Sequence, residues 1–166
     1  MWPIGIRPRT SEDLPACVNA LRQAHEADGY PAVWPDAPAH WLNPAKMVDS
    51  RVADDGSSVV GHVGIGESML PPAVGAAVHD RIALISVIRL FVVLASRRQG
   101  TGRALLDAAA TMAALRGCRA VLDVEDGAVA AVSLYERAGW QRIHSGPGTW
   151  TMPDGRAAYL HHYLSP

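Results

Sequence analysis

The sequence has little of what several large classes of protein require. It contains only two cysteines, Cys17 and Cys118, which excludes a disulfide scaffold and a four-ligand zinc cluster built from cysteine. We expect both to be reduced, partly buried thiols, as in a cytosolic protein. The net charge is −1, so the chain has no general electrostatic attraction to nucleic acid or to an anionic membrane.

Long apolar runs are missing as well. The most apolar stretch, residues 82–95, is interrupted by Arg89 and falls short of the roughly 20 residues that a membrane-spanning helix needs. The first seven residues lack the basic stretch and apolar core of a signal peptide. A length of 166 residues, with 49% apolar and 19% charged residues, is typical of one globular domain. We therefore expect residues 1–166 to form one soluble, cytoplasmic domain.

Strand and helix patterns alternate along the chain, most clearly in its second half. Strands are predicted at residues 4–7, 51–53, 59–65, 82–93, 120–124, 140–144 and 158–164. Helices are predicted at residues 10–28, 100–115 and 129–137, with a helical turn near 40–42. The segment 30–44 is rich in proline and tryptophan and predicts a shaped loop, while 67–81 predicts a long connection. This order favours a mixed α/β architecture with a partly parallel sheet.

A segment rich in glycine and arginine lies between an apolar strand and a helix. It consists of Arg97, Arg98, Gln99, Gly100, Thr101, Gly102 and Arg103. A helix N-terminus presents unpaired N–H groups and partial positive charge, and glycines let a ligand approach without meeting a Cβ atom. Arginine side chains add donors for phosphate oxygens. The segment predicts a phosphate or pyrophosphate site, and a solvated glycine turn is the alternative.

Two common phosphate-binding motifs do not fit this segment. A Walker loop ends in Gly-Lys followed by Ser or Thr, which the chain lacks. The dinucleotide fingerprint needs a small residue three positions after Gly102, where the chain has Leu105.

The spacing Arg-x-x-Gly-x-Gly after a strand resembles the signature of GNAT-type N-acetyltransferases, which bind acetyl-CoA. A second segment is similar to that family's Leu-Tyr-x-x-x-Gly-Phe pattern. It reads Leu134-Tyr135-Glu136-Arg137-Ala138-Gly139-Trp140, with tryptophan for phenylalanine. The resemblance implies the acyl-CoA N-acyltransferase fold, in which a central mixed sheet of six to seven strands is flanked by about four helices.

The resemblance also implies roles for individual residues. It assigns acetyl-CoA binding to Leu90, Phe91, Val92, Arg97, Arg98, Gln99, Gly100, Thr101, Gly102, Arg103 and Tyr135. The backbone of residues 90–92 would hold the pantetheine arm, residues 97–103 the pyrophosphate, and the Tyr135 hydroxyl would face the sulfur. The chain departs from the family at Ala128, where asparagine is frequent, and at Ser86, where many members carry glutamate.

Acetyl transfer to an amine needs a proton acceptor and a proton donor. An alkyl amine with a pKa of about 10.4 must lose a proton, and the leaving thiolate must gain one. Tyr135 is the predicted acid. The candidate bases are Glu67, His79, Asp80 and Asp123. We prefer Glu67 because it closes a predicted hairpin strand whose end should face the acceptor. No His-Glu-x-x-His spacing exists, so no metal is predicted.

The predicted function is transfer of the acetyl group from acetyl-CoA to a primary amine of a small molecule, by direct attack in a ternary complex. A non-catalytic acyl-CoA-binding sensor, or a protein N-terminal or lysine acetyltransferase, are the alternatives. The acceptor should lie between segments 30–44 and 67–81. A cationic acceptor would suit the acidic residues near these segments, Asp28, Asp36, Asp49 and Glu67. An apolar acceptor would suit the apolar residues Leu70, Pro71 and Val74. The resemblance also admits a homodimer, which nothing in the sequence decides.

Overall fold

The computed structural model describes residues 3–67 and 69–166, within which seven strands form one sheet and five α-helices pack against it. The strands are β1 (Gly5–Pro8), β2 (Met47–Asp54), β3 (Val59–Gly66), β4 (Ala83–Val92), β5 (Cys118–Glu125), β6 (Gln141–Thr151) and β7 (Ala157–Leu164). The helices are α1 (Leu14–Asp28), α2 (Pro38–Leu42), α3 (Pro72–Ala76), α4 (Thr101–Ala114) and α5 (Val129–Arg137).

The sheet has the order β1-β2-β3-β4-β5-β7-β6, and β4 and β5 form its parallel pair. That pairing extends only from Ala83–Cys118 to Ser86–Val121. Beyond this point the described residues of β4 and β5 form no ladder with each other, because β4 continues beside β3 and β5 continues beside β7. We call the gap between the rest of β4 and the rest of β5 the wedge, and its closed end the apex.

A β-bulge lies in β4 along the wedge. His62 of β3 pairs with Phe91 of β4, and Gly64 pairs with Ile88. These pairs are two residues apart on β3 but three residues apart on β4, so β4 contains one extra residue. The extra length is accommodated at Arg89, whose φ of +55° lies in the left-handed region. Bulges redirect side chains, so Arg89 departs from the regular alternation of the strand.

The start of α1 shows how the predicted helix signal works. A 3₁₀ turn, Ser11–Asp13, precedes the helix, and the Asp13 carboxylate accepts bonds from the Thr10 backbone N–H (2.7 Å) and hydroxyl (3.1 Å). Arg7 donates two further bonds of 2.8 Å to the same carboxylate, which joins the helix start to β1. Gly29, with a φ of +70°, ends the helix as predicted.

Two apolar clusters lie on opposite faces of β5. Ala120, Leu122 and Val124 belong to the main core, together with buried residues of α1 and α4. Val121 instead packs with Val74 of α3 in a smaller cluster. Because successive strand residues point to opposite faces, α3 covers the face of β5 that α4 does not.

The predicted mixed α/β fold with a six- to seven-stranded sheet is confirmed, although the connection after β3 and the length of β6 differ from the prediction. The connection 67–81 contains α3, which forms because Val74 is fully buried against the sheet. Strand β6 runs to Thr151 rather than ending at 144, since its pairing with β7 continues past Gly146 and Pro147. No helix among the described residues has the length and apolar character needed to cross a membrane.

Candidate active site

The turn between β4 and α4 has the backbone shape that its glycines predict. Gly100 has a φ of +81°, and a Cβ atom there would meet nothing within 4 Å, so the backbone conformation rather than crowding requires glycine. Thr101 is buried and donates its hydroxyl proton to the Ser96 carbonyl (3.0 Å), which closes the turn. No described side chain caps the N-terminus of α4, so its first backbone N–H groups remain available to a ligand.

The arginines of this turn are not equivalent. Arg97 donates to the Asp28 carboxylate (2.8 Å) and to the Val92 carbonyl (3.0 Å). Arg103 donates to the Asp107 carboxylate (3.2 Å) and to the last turn of α5 (3.3 Å). Arg98 is exposed and has no partner among the described residues. The guanidinium of Arg98 is therefore the one left uncommitted for a phosphate.

Gly102 has a packing role that its sequence pattern does not reveal. A Cβ atom at this position would lie 3.0 Å from Leu134 Cδ2, so α4 and α5 approach each other closely here. The next residue of α5 is Tyr135, and the glycine therefore also fixes where Tyr135 lies relative to the turn.

Tyr135 is nine-tenths buried, with its ring 5.8 Å from that of Tyr163. Burial raises the pKa of its hydroxyl, and the charges of Tyr30 and Asp123 raise it further, so the group is protonated at neutral pH. None of the described residues forms a hydrogen bond with this hydroxyl, and its oxygen is not fully enclosed. The hydroxyl can therefore donate a proton or a hydrogen bond to a ligand.

The three residues predicted to hold the pantetheine arm differ in burial and in whether their backbone groups are already hydrogen-bonded. Phe91 is buried and stacks on His62, with ring centroids 5.6 Å apart and planes 15° apart. The Val92 carbonyl already accepts the bond from Arg97. Leu90 is half-buried beside the bulge. All three lie on the part of β4 that borders the wedge.

The candidate bases lie at different distances from the apex along the sheet. Asp80 forms an ion pair with Arg119 (2.8 Å), which holds the pKa of its carboxyl below the ordinary value and occupies it. His79 is exposed on the same connection. Glu67 is exposed and follows Gly66, whose ladder partner Ser86 marks the apex. Asp123 is exposed on β5, two residues past Val121.

His62 and Arg9 are structural contributors that the sequence analysis did not single out. His62 is fully buried; its Nδ1–H donates to the Arg89 carbonyl (2.7 Å), and its Nε2 accepts from Arg9 Nη1 (3.1 Å). Burial lowers the pKa of His62 to about 4, so its imidazole is neutral at physiological pH. The signal was a histidine inside an otherwise apolar strand.

The adjacent histidines of β7 face opposite sides of the sheet. His161 bonds to Asp126 (2.5 Å) and Ser145 (2.7 Å), which occupies both of its ring nitrogens. His162 pairs across the sheet with Asp123, and its Nδ1 is buried without a partner among the described residues. Within residues 3–67 and 69–166, no group of three or more His, Cys, Asp or Glu side chains is arranged to hold a metal ion.

The sequence profile of the acetyltransferase (GNAT) family matches residues 14–140, most of the chain and both predicted motifs. The chain belongs to this family. The predicted family and enzyme class, an N-acetyltransferase that uses acetyl-CoA, are thereby confirmed at the level of the family. No curated protein matches the chain in sequence.

Solved structures of acetyltransferases share the fold over nearly their whole length. The ribosomal-protein-S18-alanine N-acetyltransferase from Escherichia coli is 19% identical, with a TM-score of 0.72, over 99% of this chain and 94% of that one. Arabidopsis thaliana NAA60 in complex with acetyl-CoA is 21% identical, with a TM-score of 0.72 and coverage of 98% and 97%. The putative acetyltransferase yncA from Salmonella typhimurium, with its cofactor acetyl-CoA, is 19% identical, with a TM-score of 0.70 and coverage of 97% and 92%.

Proposed function

We propose that this GNAT acetyltransferase moves the acetyl group of acetyl-CoA to a primary amine of a small molecule, by direct attack in a ternary complex. The observation that carries the proposal is the wedge. It is a sheet opening with unshared β4 backbone along one side and the uncapped N-terminus of α4 after its wide end. We also propose a cytosolic location, because Cys17 and Cys118 are both free thiols.

The described residues fit the chemical groups of the co-substrate. A pyrophosphate needs several N–H donors and a cation, which the first turn of α4 and the uncommitted Arg98 would supply. The left-handed Gly100 leaves open space beside those donors. The pantetheine arm carries amides, which can bond to a strand edge, and residues 90–92 would provide one, apart from the Val92 carbonyl that Arg97 occupies.

The transfer step requires the protein to move two protons. Acetyl-CoA supplies a thioester carbonyl, which the neutral amine attacks; a C–N bond forms and the C–S bond breaks. Glu67 takes the proton from the amine, and Asp123 is the competing assignment. Tyr135 donates to the departing sulfur. Because its pKa is raised, the Tyr135 hydroxyl keeps its proton until negative charge develops on the sulfur. Much of the stabilisation of the departing thiolate therefore comes from a strong hydrogen bond donated by this hydroxyl.

The acceptor side is framed by packed segments rather than by an extended groove. The ring of Tyr30 lies 6.0 Å from that of Trp41 and 6.4 Å from that of Phe91. The connection after Glu67 is fixed by α3 through the buried Val74. A wall of this kind favours a small acceptor over a long peptide.

The test is release of free thiol from acetyl-CoA in the presence of small amines, lysine peptides and peptides with free N-termini. The proposal predicts turnover with small amines. Turnover restricted to peptides would instead assign a protein acceptor. Tight acetyl-CoA binding by calorimetry without any thiol release would assign a sensor.

A further inference from the structure

The side chain of Arg89 is held in one orientation on the acceptor side of β4. We infer that its guanidinium binds a carboxylate of the acceptor, so that the acceptor is an amino acid in the broad sense, with a primary amine and a carboxylate in one small molecule. This inference rests on the proposed function and names the substrate class of the same site.

Arg89 is fixed at three points. Its backbone carbonyl accepts the hydrogen bond from His62 (2.7 Å), at the left-handed position of the bulge. Its Nε donates to the Trp41 carbonyl at the C-terminal end of α2 (2.9 Å). Its guanidinium lies over the Trp41 ring, 3.7 Å from the ring centre. Little conformational freedom therefore remains to be lost when a ligand binds.

The two terminal nitrogens of Arg89 are left without a protein acceptor. None of the described residues accepts a hydrogen bond from either, and no described carboxylate lies within ion-pair distance. Neither nitrogen is among the fully enclosed atoms that lack partners, so both reach solvent. A planar pair of adjacent donors matches the two oxygens of a carboxylate.

The surroundings of Arg89 make an unpaired cation costly. The residue is half-buried, and burial lowers the pKa of its guanidinium. The Tyr30 hydroxyl does not neutralise it, because burial raises the pKa of that hydroxyl to about 12 and leaves it uncharged at neutral pH. Other arginines of the chain, Arg97 and Arg119 among them, have carboxylate partners at 2.8 Å. An anionic ligand would supply the partner that the protein does not.

The position of Arg89 suits the reaction. It lies between the apex at Ser86 and residues 90–92, which are proposed to hold the pantetheine arm. A carboxylate bound there would be anchored beside the acetyl end of the co-substrate. The amine of the same molecule would then be presented toward Glu67 or Asp123.

The first test compares each acceptor amino acid with its decarboxylated amine in the thiol-release assay. We expect kcat/KM to favour the amino acid by about 10- to 100-fold, since a charge-assisted bond is removed. Arg89→Gln, which keeps a polar side chain at the same strained position, should abolish that preference while leaving acetyl-CoA affinity unchanged. Arg22→Gln is the matched control, because Arg22 also stacks on a tryptophan (Trp34, 4.6 Å) but lies exposed on α1.

A second test does not depend on turnover. Calorimetry with CoA present compares N-acetylglycine, N-acetylalanine and N-acetylleucine with their amides as product-like probes. The acids should bind about tenfold more tightly than the amides in the wild type and in Arg22→Gln, but not in Arg89→Gln. Equal binding of acids and amides, absence of binding by every acid, or an unchanged preference in Arg89→Gln would overturn the inference. Loss of CoA binding itself would instead count against the proposed function.

Discussion

At the scale of single residues, the chemistry depends on a Tyr135 hydroxyl that is protonated and free to donate. We expect Tyr135→Phe to lower kcat about tenfold or more, because the departing sulfur loses its donor. Acetyl-CoA affinity, measured by calorimetry, should barely change. Tyr163→Phe is the control, since the Tyr163 hydroxyl donates a hydrogen bond to Glu136 and accepts one from Arg142. Equal turnover in Tyr135→Phe and the wild type would remove Tyr135 from the mechanism.

The base is assigned to Glu67, and a matched pair of substitutions tests that assignment. Both Glu67 and Asp123 are exposed near the apex, and Glu67→Gln and Asp123→Asn each remove a charge at nearly constant size. We expect Glu67→Gln to lower kcat/KM about 100-fold near neutral pH, because the amine then loses its proton acceptor. If Asp123→Asn has that effect and Glu67→Gln does not, Asp123 is the base.

His62 couples the stability of the protein to pH. Its folded-state pKa of about 4 lies below the ordinary value, so the unfolded chain binds this proton first as the pH falls. The contribution of His62 is therefore present above about pH 6.5 and is lost as the pH falls toward 4, with a slope of at most about 1.4 kcal/mol per pH unit. In urea unfolding, the free energy of unfolding should fall more steeply with decreasing pH for the wild type than for His62→Gln. The exposed His79→Gln should behave as the wild type.

At the scale of elements, the turn before α4 is the decisive piece. Gly100 and Gly155 have nearly equal left-handed φ values, +81° and +84°, and each has open space at its Cβ position. Gly100→Ala and Gly155→Ala should therefore each cost about 1–2 kcal/mol of stability in thermal or urea unfolding. Only Gly100→Ala should weaken acetyl-CoA binding, by about tenfold, because it distorts the donors of the first turn. Equal affinities in the two variants would exclude this turn as the phosphate site.

The elements also show what can be predicted from the sequence. The long β-branched run of β4 and the alanine-rich α4 follow from their own periodicity, and the motif between them is local. The bulge at Arg89 is not local, because it depends on the register that β3 imposes through His62 and Gly64. Helix α3 is missed for a similar reason, since five residues with two alanines and a glycine become helical only by burying Val74.

At the scale of the whole molecule, the wedge joins features that are far apart in the sequence. Motif spacing indicates residues 97–103 and Tyr135, but not that Arg97 and Arg103 are bound to carboxylates, which leaves Arg98 free. Nor does it indicate that Arg9, His62 and Arg89 connect β3 and β4 to the end of α2. These contacts are long-range, and no periodicity encodes them.

Amide hydrogen exchange with and without CoA tests the central claim most directly, because it reads the backbone of the wedge residue by residue. The account predicts added protection in two segments, the free part of β4 at residues 87–92 and the turn and first helical residues at 97–104. The hairpin between β6 and β7 should show none and serves as an internal reference. Unchanged exchange in both segments at saturating CoA, or protection elsewhere alone, would contradict the claim that this opening binds the co-substrate.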